Sequence, residues 1–229
     1  MVGTASILIN YKTNCMSRLS KSHFWEWFKR HNKEYLDLKT KTKKEAGYWL
    51  NELKTHLRAY SRCFGFSLAW GNNEPATLTI TVDGKAIHFK KADSFVAAAP
   101  EITGWVVSAL EEPLPIDFML EKEIENAGVH PEELSFSFAS DDPDDKAITV
   151  YHPLCTEENR HHFLQLANAA VYNLLGERSY GMDISYVEVA NLSYAGSNKV
   201  RKLEELPACI GLRKSAMVVD DEGRLMGGC

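Results

Sequence analysis

The chain has 229 residues, of which 45% are hydrophobic and 25% are charged. These are ordinary values for a compact globular protein, and they exclude a disordered chain and a collagen-like repeat. The formal net charge of −5 gives no overall attraction to phosphate backbones, so nucleic acid is not an expected partner.

Cysteine usage and hydropathy favour a cytoplasmic protein. The five cysteines are odd in number, widely scattered and never in CxxC spacing, which argues against a disulfide framework or a zinc knuckle. No stretch approaches the roughly 18 apolar residues of a membrane span, and no signal-peptide pattern opens the chain. We therefore expect a cytoplasmic location without membrane binding. Residues 1–19 are interpreted as an N-terminal extension, loosely ordered over residues 1–15.

Two amphipathic helices are predicted to open the fold. From Ser22, the expected N-cap, a stripe of mostly aromatic residues recurs at helical spacing and consists of Phe24, Trp27, Phe28, His31, Tyr35 and Leu38. Thr42 and Glu45 form a capping box for a second helix that ends near Gly65. The aromatic group FWEWF is explained more simply by core packing than by partner binding, since each such side chain buries roughly 150–250 Å². Trp25 lies beside the main stripe and leaves partner binding open.

The rest of the first half alternates strand-like and helical patterns. Asp83-Gly84 favours a type I′ hairpin turn, so we predict a meander followed by a short helix that Pro100 stops. The predicted strands are 66–70, 78–82, 86–89 and 104–109, and the helix is 91–99. The segment from Glu112 to Pro115 breaks regular structure and marks the junction with the second half.

The second half repeats this alternation. A long helix capped by Thr156 is expected to end near Gly176, and a short C-terminal helix is expected to stop at Pro207. The predicted elements are helix 117–126, strands 134–139 and 147–151, the long helix, strand 184–189 and helix 200–206.

Two stretches resemble each other and predict an internal duplication. FSLAWGNNEPATLTITV begins at Phe66 and FSFASDDPDDKAITV begins at Phe136. Both contain F-S-x-A, a polar loop with a proline, and I-T-V, and in both a helix and another strand are predicted to follow. The four aspartates of the second loop are then interpreted as a solvated turn. They do not fit an EF-hand, because Lys146 and His152 stand where glycine and a bidentate glutamate are required.

One histidine-rich region offers an alternative metal site. Glu158 and His161 have the E-x-x-H spacing by which a helix presents two ligands, and His152 lies nearby in sequence. A capped helix end with solvated polar residues explains the same pattern more simply. The alternative is therefore a hydrolase or metal-assisted enzyme that uses His152, Glu158 and His161, with His88 as a further candidate.

The residues FWEWF, the paired helices ending in LRAYS, and AAPEITGW resemble an uncharacterised family of bacterial proteins known as a domain of unknown function. The resemblance covers about residues 20–190. It implies a bacterial cytoplasmic origin and attaches no catalytic residue to any position.

Together these patterns predict an α+β fold, with an antiparallel or mixed sheet covered by helices. The chain divides into 1–19, a first α-β-β-α-β half over 20–112, a second over 113–195, and a C-terminal helix and tail over 196–229. Strand 104–110 joined to the second half would give a ferredoxin-like order.

The expected function is a non-catalytic binding or protein-interaction module. The hydrolase, nucleotide-binding and zincin motifs that can be searched by spacing are missing from the sequence. We expect no cofactor and assign no catalytic or ligand-binding residue. The expected partner is a protein or a small molecule, and a homodimer is left open.

Overall fold

The computed structural model describes residues 20–211 except 72–73, 119, 140–145 and 197–198. The N-terminal extension and the four aspartates of the acidic loop lie outside the described residues. The described chain is an α+β protein with six α-helices and two mixed sheets.

Helices α1 (Lys21–Leu36) and α2 (Lys43–Tyr60) open the fold as predicted. The capping box of Thr42 and Glu45 is present, whereas α1 is capped by Ser20 and not by Ser22. Trp25 is buried, and its indole Nε1 donates to the carbonyl oxygen of Phe95 at 3.0 Å. The aromatic group of α1 therefore belongs to the core, including the residue for which partner binding was left open.

The first sheet contains three strands in the order β1-β2-β3. They are β1 (Gly65–Ala69), β2 (Ala76–Thr81) and β3 (Trp105–Ala109). Strands β1 and β2 form an antiparallel hairpin, and β3 runs parallel to β2 after the crossover helix α3 (Phe89–Val96). The aromatic face of α1 and the apolar face of this sheet share one core.

The segment after Asp83-Gly84 differs from the prediction. Both residues have positive φ, and Lys85 N donates to Val82 O, as the expected type I′ turn requires. The predicted strand 86–89 is instead a 3-10 turn that leads into α3. The turn chemistry is local and was predicted correctly, but it does not decide which element follows.

The second sheet has the order β6-β5-β4-β7. Strands β4 and β5 form an antiparallel hairpin, and β6 runs parallel to β5 after the long helix α5. The elements are α4 (Glu121–Ala127), β4 (Ser135–Phe138), β5 (Ile148–His152), α5 (Arg160–Asp183), β6 (Val187–Asn191), β7 (Arg201–Lys202) and α6 (Leu206–Ile210). Helices α4, α5 and α6 share a second core with the apolar residues of this sheet.

Three predictions about this half need correction. Thr156 is not the N-cap of α5, which Asn159 provides, and Thr156 N instead donates to Asn159 Oδ1 at 2.8 Å. Helix α5 does not end at Gly176: the chain leaves helical geometry at that one residue and then continues to Asp183. Pro207 does not stop a helix but is the second residue of α6, where its missing N–H is not needed because it lies in the first turn.

The two halves share a hairpin, a crossover helix and a parallel third strand. Their registers differ, since Phe66 pairs with Ile80 whereas Phe136 pairs with Val150, two residues further along I-T-V. Strand β3 pairs with β2, so the second sheet forms without it and the expected ferredoxin-like order is not confirmed. The internal duplication stays a prediction. Within the described ranges, no helix has the length and apolarity needed to cross a membrane.

Candidate functional site

The residues of the alternative metal site are separated by their environments. His152 is buried at the end of β5, where its ring stacks on Phe163 with centroids 5.5 Å apart. Leu154 N donates to its Nδ1 at 3.2 Å, and its Nε2 lies 3.8 Å from a carboxylate oxygen of Glu133. Glu158 and His161 are exposed on the first turns leading into α5.

These contacts give His152 a structural role. The pKa of Glu133 is lowered, first by the hydrogen bond from His130 N and then by the charge of His152. In the part of the chain that the structure describes, no three His, Cys, Asp or Glu side chains form a group able to hold a metal ion. His88, the further candidate, lies in the 3-10 turn of the first half.

A groove in the second half has the shape of a binding site. We call it the β6 groove, and it consists of two adjoining cavities of about 440 and 530 Å³ between strand β6 and the N-terminal part of α5. Both cavities are lined by Glu157, Arg160 and Val189. The first extends to Cys155 and Tyr194, and the second extends to His161, Leu164, Tyr186 and Glu188.

The sheet order places the groove at an open edge. Among the described strands, β6 is paired on one side only, with β5. Ile148 N donates to Tyr186 O, and in a parallel ladder alternate residues turn their N–H and C=O groups to the same neighbour. Tyr186 and Glu188 therefore face β5, while Val187 and Val189 turn their backbone groups to the open edge. In agreement, Val189 O accepts a hydrogen bond from Arg160 Nε at 3.2 Å.

Large apolar side chains are exposed along this groove. Tyr194 is 79% exposed, Tyr186 is 49% exposed and Leu164 is 36% exposed. Leu154, just after the end of β5, and Leu192, just after the end of β6, are also exposed. Exposed apolar residues clustered beside polar ones are typical of an interaction surface, whereas scattered single ones need no explanation.

The cysteine of the groove is not poised for nucleophilic chemistry. Cys155 is buried, and burial raises the pKa of its thiol, so the thiol stays protonated at neutral pH. Asn191, at the end of β6, donates from its side-chain amide to Pro153 O and Cys155 O at 2.6 and 3.0 Å. These bonds fix the loop after β5 against the loop after β6 and so shape one wall of the groove.

A second site of structural interest joins the two halves. The carboxylate of Glu177, directly after the break in α5, is fully buried against the first half. Its Oε1 accepts from Val82 N and Gly84 N at 2.7 and 3.0 Å, and its Oε2 accepts from Glu111 N at 3.1 Å. These donors lie just past the carboxyl ends of parallel strands β2 and β3, where open α/β sheets commonly bind ligands. Here the chain's own carboxylate fills that position.

Sequence reasoning did not identify the β6 groove or the Glu177 contact. Tyr186 and Glu188 were assigned to a strand, but that strand's place at the edge of the sheet is fixed by long-range pairing. Comparisons with known protein families, with curated proteins and with solved structures find no match to this chain. The resemblance to an uncharacterised bacterial family therefore stays a prediction.

Proposed function

We propose that this protein is a non-catalytic cytoplasmic interaction module that binds an extended segment of a partner protein in the β6 groove. The observation that carries the proposal is the open backbone edge of β6 beside the exposed side chains of Tyr186 and Leu164. A strand edge next to a helix supplies hydrogen bonds for the peptide backbone and pockets for alternate side chains.

The backbone of β6 supports strand addition at one end of the groove. Val187 turns its N–H and C=O groups outward, so that a partner strand can pair with it. The carbonyl oxygen of Val189 already accepts a hydrogen bond from the guanidinium of Arg160. A partner strand is therefore expected to enter at the Tyr186 end and to meet Arg160 further along.

The side chains of the groove define the chemistry of the partner. The lining of the groove contains two carboxylates, Glu157 and Glu188, and one guanidinium, that of Arg160. These three side chains carry a net negative charge, so the groove favours a basic residue. Tyr186 and Leu164 line the same cavity and offer apolar contact. We therefore expect an extended apolar segment that carries a lysine or an arginine.

Three further observations support a binding role in a reducing compartment. Cys63, Cys155 and Cys209 are free thiols, which agrees with the cytoplasm. Among the described residues, His152 is buried whereas Glu158 and His161 are exposed, and the buried thiol of Cys155 has a raised pKa, so these groups give the enzymatic alternative no support. We also propose a bacterial origin, which the resemblance of the sequence to an uncharacterised bacterial family implies.

The test is a selection of peptides from a random display library on the full-length protein. Enriched peptides are then measured by calorimetry against the wild type and against a Leu164→Ser, Tyr186→Ser double variant. We expect enrichment of apolar, basic sequences whose affinity falls about tenfold or more in the variant, since truncating central apolar contacts costs over about 1 kcal/mol each.

The matched control is Tyr48→Ser, which removes a similarly exposed tyrosine from α2 in the first half. This control should bind the peptides as the wild type does. If no peptide is enriched, or if the enriched peptides bind the double variant as tightly as the wild type, the proposal is wrong.

A further inference from the structure

A basic pocket lies in the first half, far along the chain from the β6 groove. It has a volume of about 540 Å³ and forms where the end of α2 meets α3. Its lining residues include Arg58, Arg62, Lys91, Ser61 and Tyr60. No carboxylate belongs to this lining.

The ammonium of Lys91 is held in place within this pocket. Its Nζ donates to Ser61 Oγ at 2.6 Å, and Ser61 is itself buried and lies 2.9 Å from Cys63 Sγ. The same ammonium lies over the rings of Tyr60 and Phe64, 5.4 and 5.7 Å from their centroids. A lysine has three N–H donors, and the contacts among the described residues use one of them, which leaves two for a further partner.

Three cations in one pocket lack a counter-charge within the described ranges. Three cations elsewhere in the described chain are paired: Lys41 with Glu34, Lys146 with Asp183, and Arg178 with Asp93. Among the described residues, no carboxylate lies within ion-pair distance of Arg58, Arg62 or Lys91.

The end of α2 accounts for only part of this positive charge. A helix C-terminus carries about half a negative elementary charge and favours a nearby cation. Three positive side chains exceed that charge several times over.

From this arrangement we propose that the basic pocket binds an oxyanion of the phosphate class, either inorganic phosphate or the phosphate group of a small monoester. Two guanidinium groups and an ammonium suit the charge and the several acceptor oxygens of phosphate. The cavity is larger than a phosphate ion, so it leaves room for the organic part of an ester. The pocket is independent of the β6 groove, and either proposal can fail without the other.

The test measures binding of inorganic phosphate and of phenyl phosphate to the full-length protein by calorimetry, with sodium chloride at matched ionic strength as the salt control. We expect saturable binding of a phosphate compound at one site per chain. Arg62→Gln and Lys91→Gln should each weaken it by about tenfold or more, as expected when one hydrogen bond to a charged group is lost. Tighter binding of phenyl phosphate would identify an ester as the ligand, and equal binding would identify the free ion.

The matched control is Lys90→Gln, which removes the neighbouring exposed ammonium on α3 without touching the pocket. It should bind phosphate as the wild type does. Arg62 is exposed, so its replacement leaves the fold intact even if the Lys91 variant is unstable. The proposal is overturned if neither compound binds in excess of the salt control, or if Arg62→Gln and Lys90→Gln weaken binding equally.

Discussion

The carboxylate of Glu177 accepts a hydrogen bond from the backbone N–H of Gly84, 3.0 Å away and 93 residues distant along the chain. The same carboxylate also binds Val82 N and Glu111 N. One buried side chain of the second half thus accepts the backbone N–H groups that follow strands β2 and β3 of the first half. Arg178 adds an ion pair of 2.7 Å with Asp93 next to this contact. The relative position of the two halves depends on these bonds.

Replacing Glu177 by glutamine should destabilise the protein. The amide nitrogen that replaces one carboxylate oxygen cannot accept a hydrogen bond, so at least one buried backbone N–H loses its partner. Each buried donor left unsatisfied costs about 1–3 kcal/mol. We expect a loss of this size in the free energy of unfolding, measured with denaturant. The matched control is Glu158→Gln, on an exposed residue, which should change stability by less than about 0.5 kcal/mol. Equal stability of both variants would contradict the structural role of Glu177.

The break at Gly176 allows Glu177 to reach the first half. Gly176 has φ 66° and ψ 167°, a backbone conformation that is essentially restricted to glycine. A Cβ atom at this residue would lie 2.7 Å from Pro113 N and 2.9 Å from Glu111 O. Gly176→Ala should therefore cost more than the roughly 1–3 kcal/mol of backbone strain alone.

The matched control for Gly176→Ala is Gly47→Ala in the second turn of α2. A Cβ atom there meets nothing within 4 Å, and alanine is the better helix former, so this variant should gain up to about 1 kcal/mol. The measurement is thermal or denaturant unfolding of both variants. Destabilisation by both substitutions, or by neither, would contradict the explanation from backbone strain and the Cβ clash at Gly176.

Stability should fall at alkaline pH, in part because of Tyr172. Burial raises the pKa of this phenol, and the charges of Glu177 and Glu111 raise it further. An unfolded tyrosine ionises near pH 10, so above about pH 10 the folded state holds a proton that the unfolded state has lost. The contribution of Tyr172 is complete below that pH and is lost as the pH rises.

The variant Tyr172→Phe tests this assignment. Its free energy of unfolding should decline less steeply than that of the wild type between about pH 10 and about pH 11, by at most about 1.4 kcal/mol per pH unit for one proton. Tyr35, whose pKa is also raised by burial, remains in both proteins and supplies a common background. Parallel curves for the two proteins would show that Tyr172 does not titrate differently on folding.

Features set by local chemistry could be predicted from the sequence. The capping box of Thr42 and Glu45 and the turn at Asp83-Gly84 depend on neighbouring residues, and both are present. The two opening helices could also be predicted, because the apolar periodicity that indicates a helix is read from residues close together in the sequence. The aromatic residues of α1 lie in the core, as predicted, because burying such large apolar side chains stabilises the fold.

Features set by long-range pairing could not be predicted. Strand β3 pairs with β2 and not with a strand of the second half. The residues of β3 do not indicate which strand it will pair with. A glycine at position 176 normally ends a helix, but here the contacts of Glu177 and Arg178 with the first half hold a further helical segment. The β6 groove was missed because the edge position of β6 is a property of the whole sheet.

The most direct test of the proposed function is backbone hydrogen exchange at Val187, compared between the free protein and its complex with a selected peptide. The N–H of Val187 faces the open edge of β6, so it should exchange rapidly in the free protein and about tenfold or more slowly in the complex. The N–H of Glu188 faces β5 and should change much less, which provides a control on the adjacent residue. Unchanged exchange at Val187 while the peptide is bound, or protection confined to another surface, would contradict strand addition in the β6 groove.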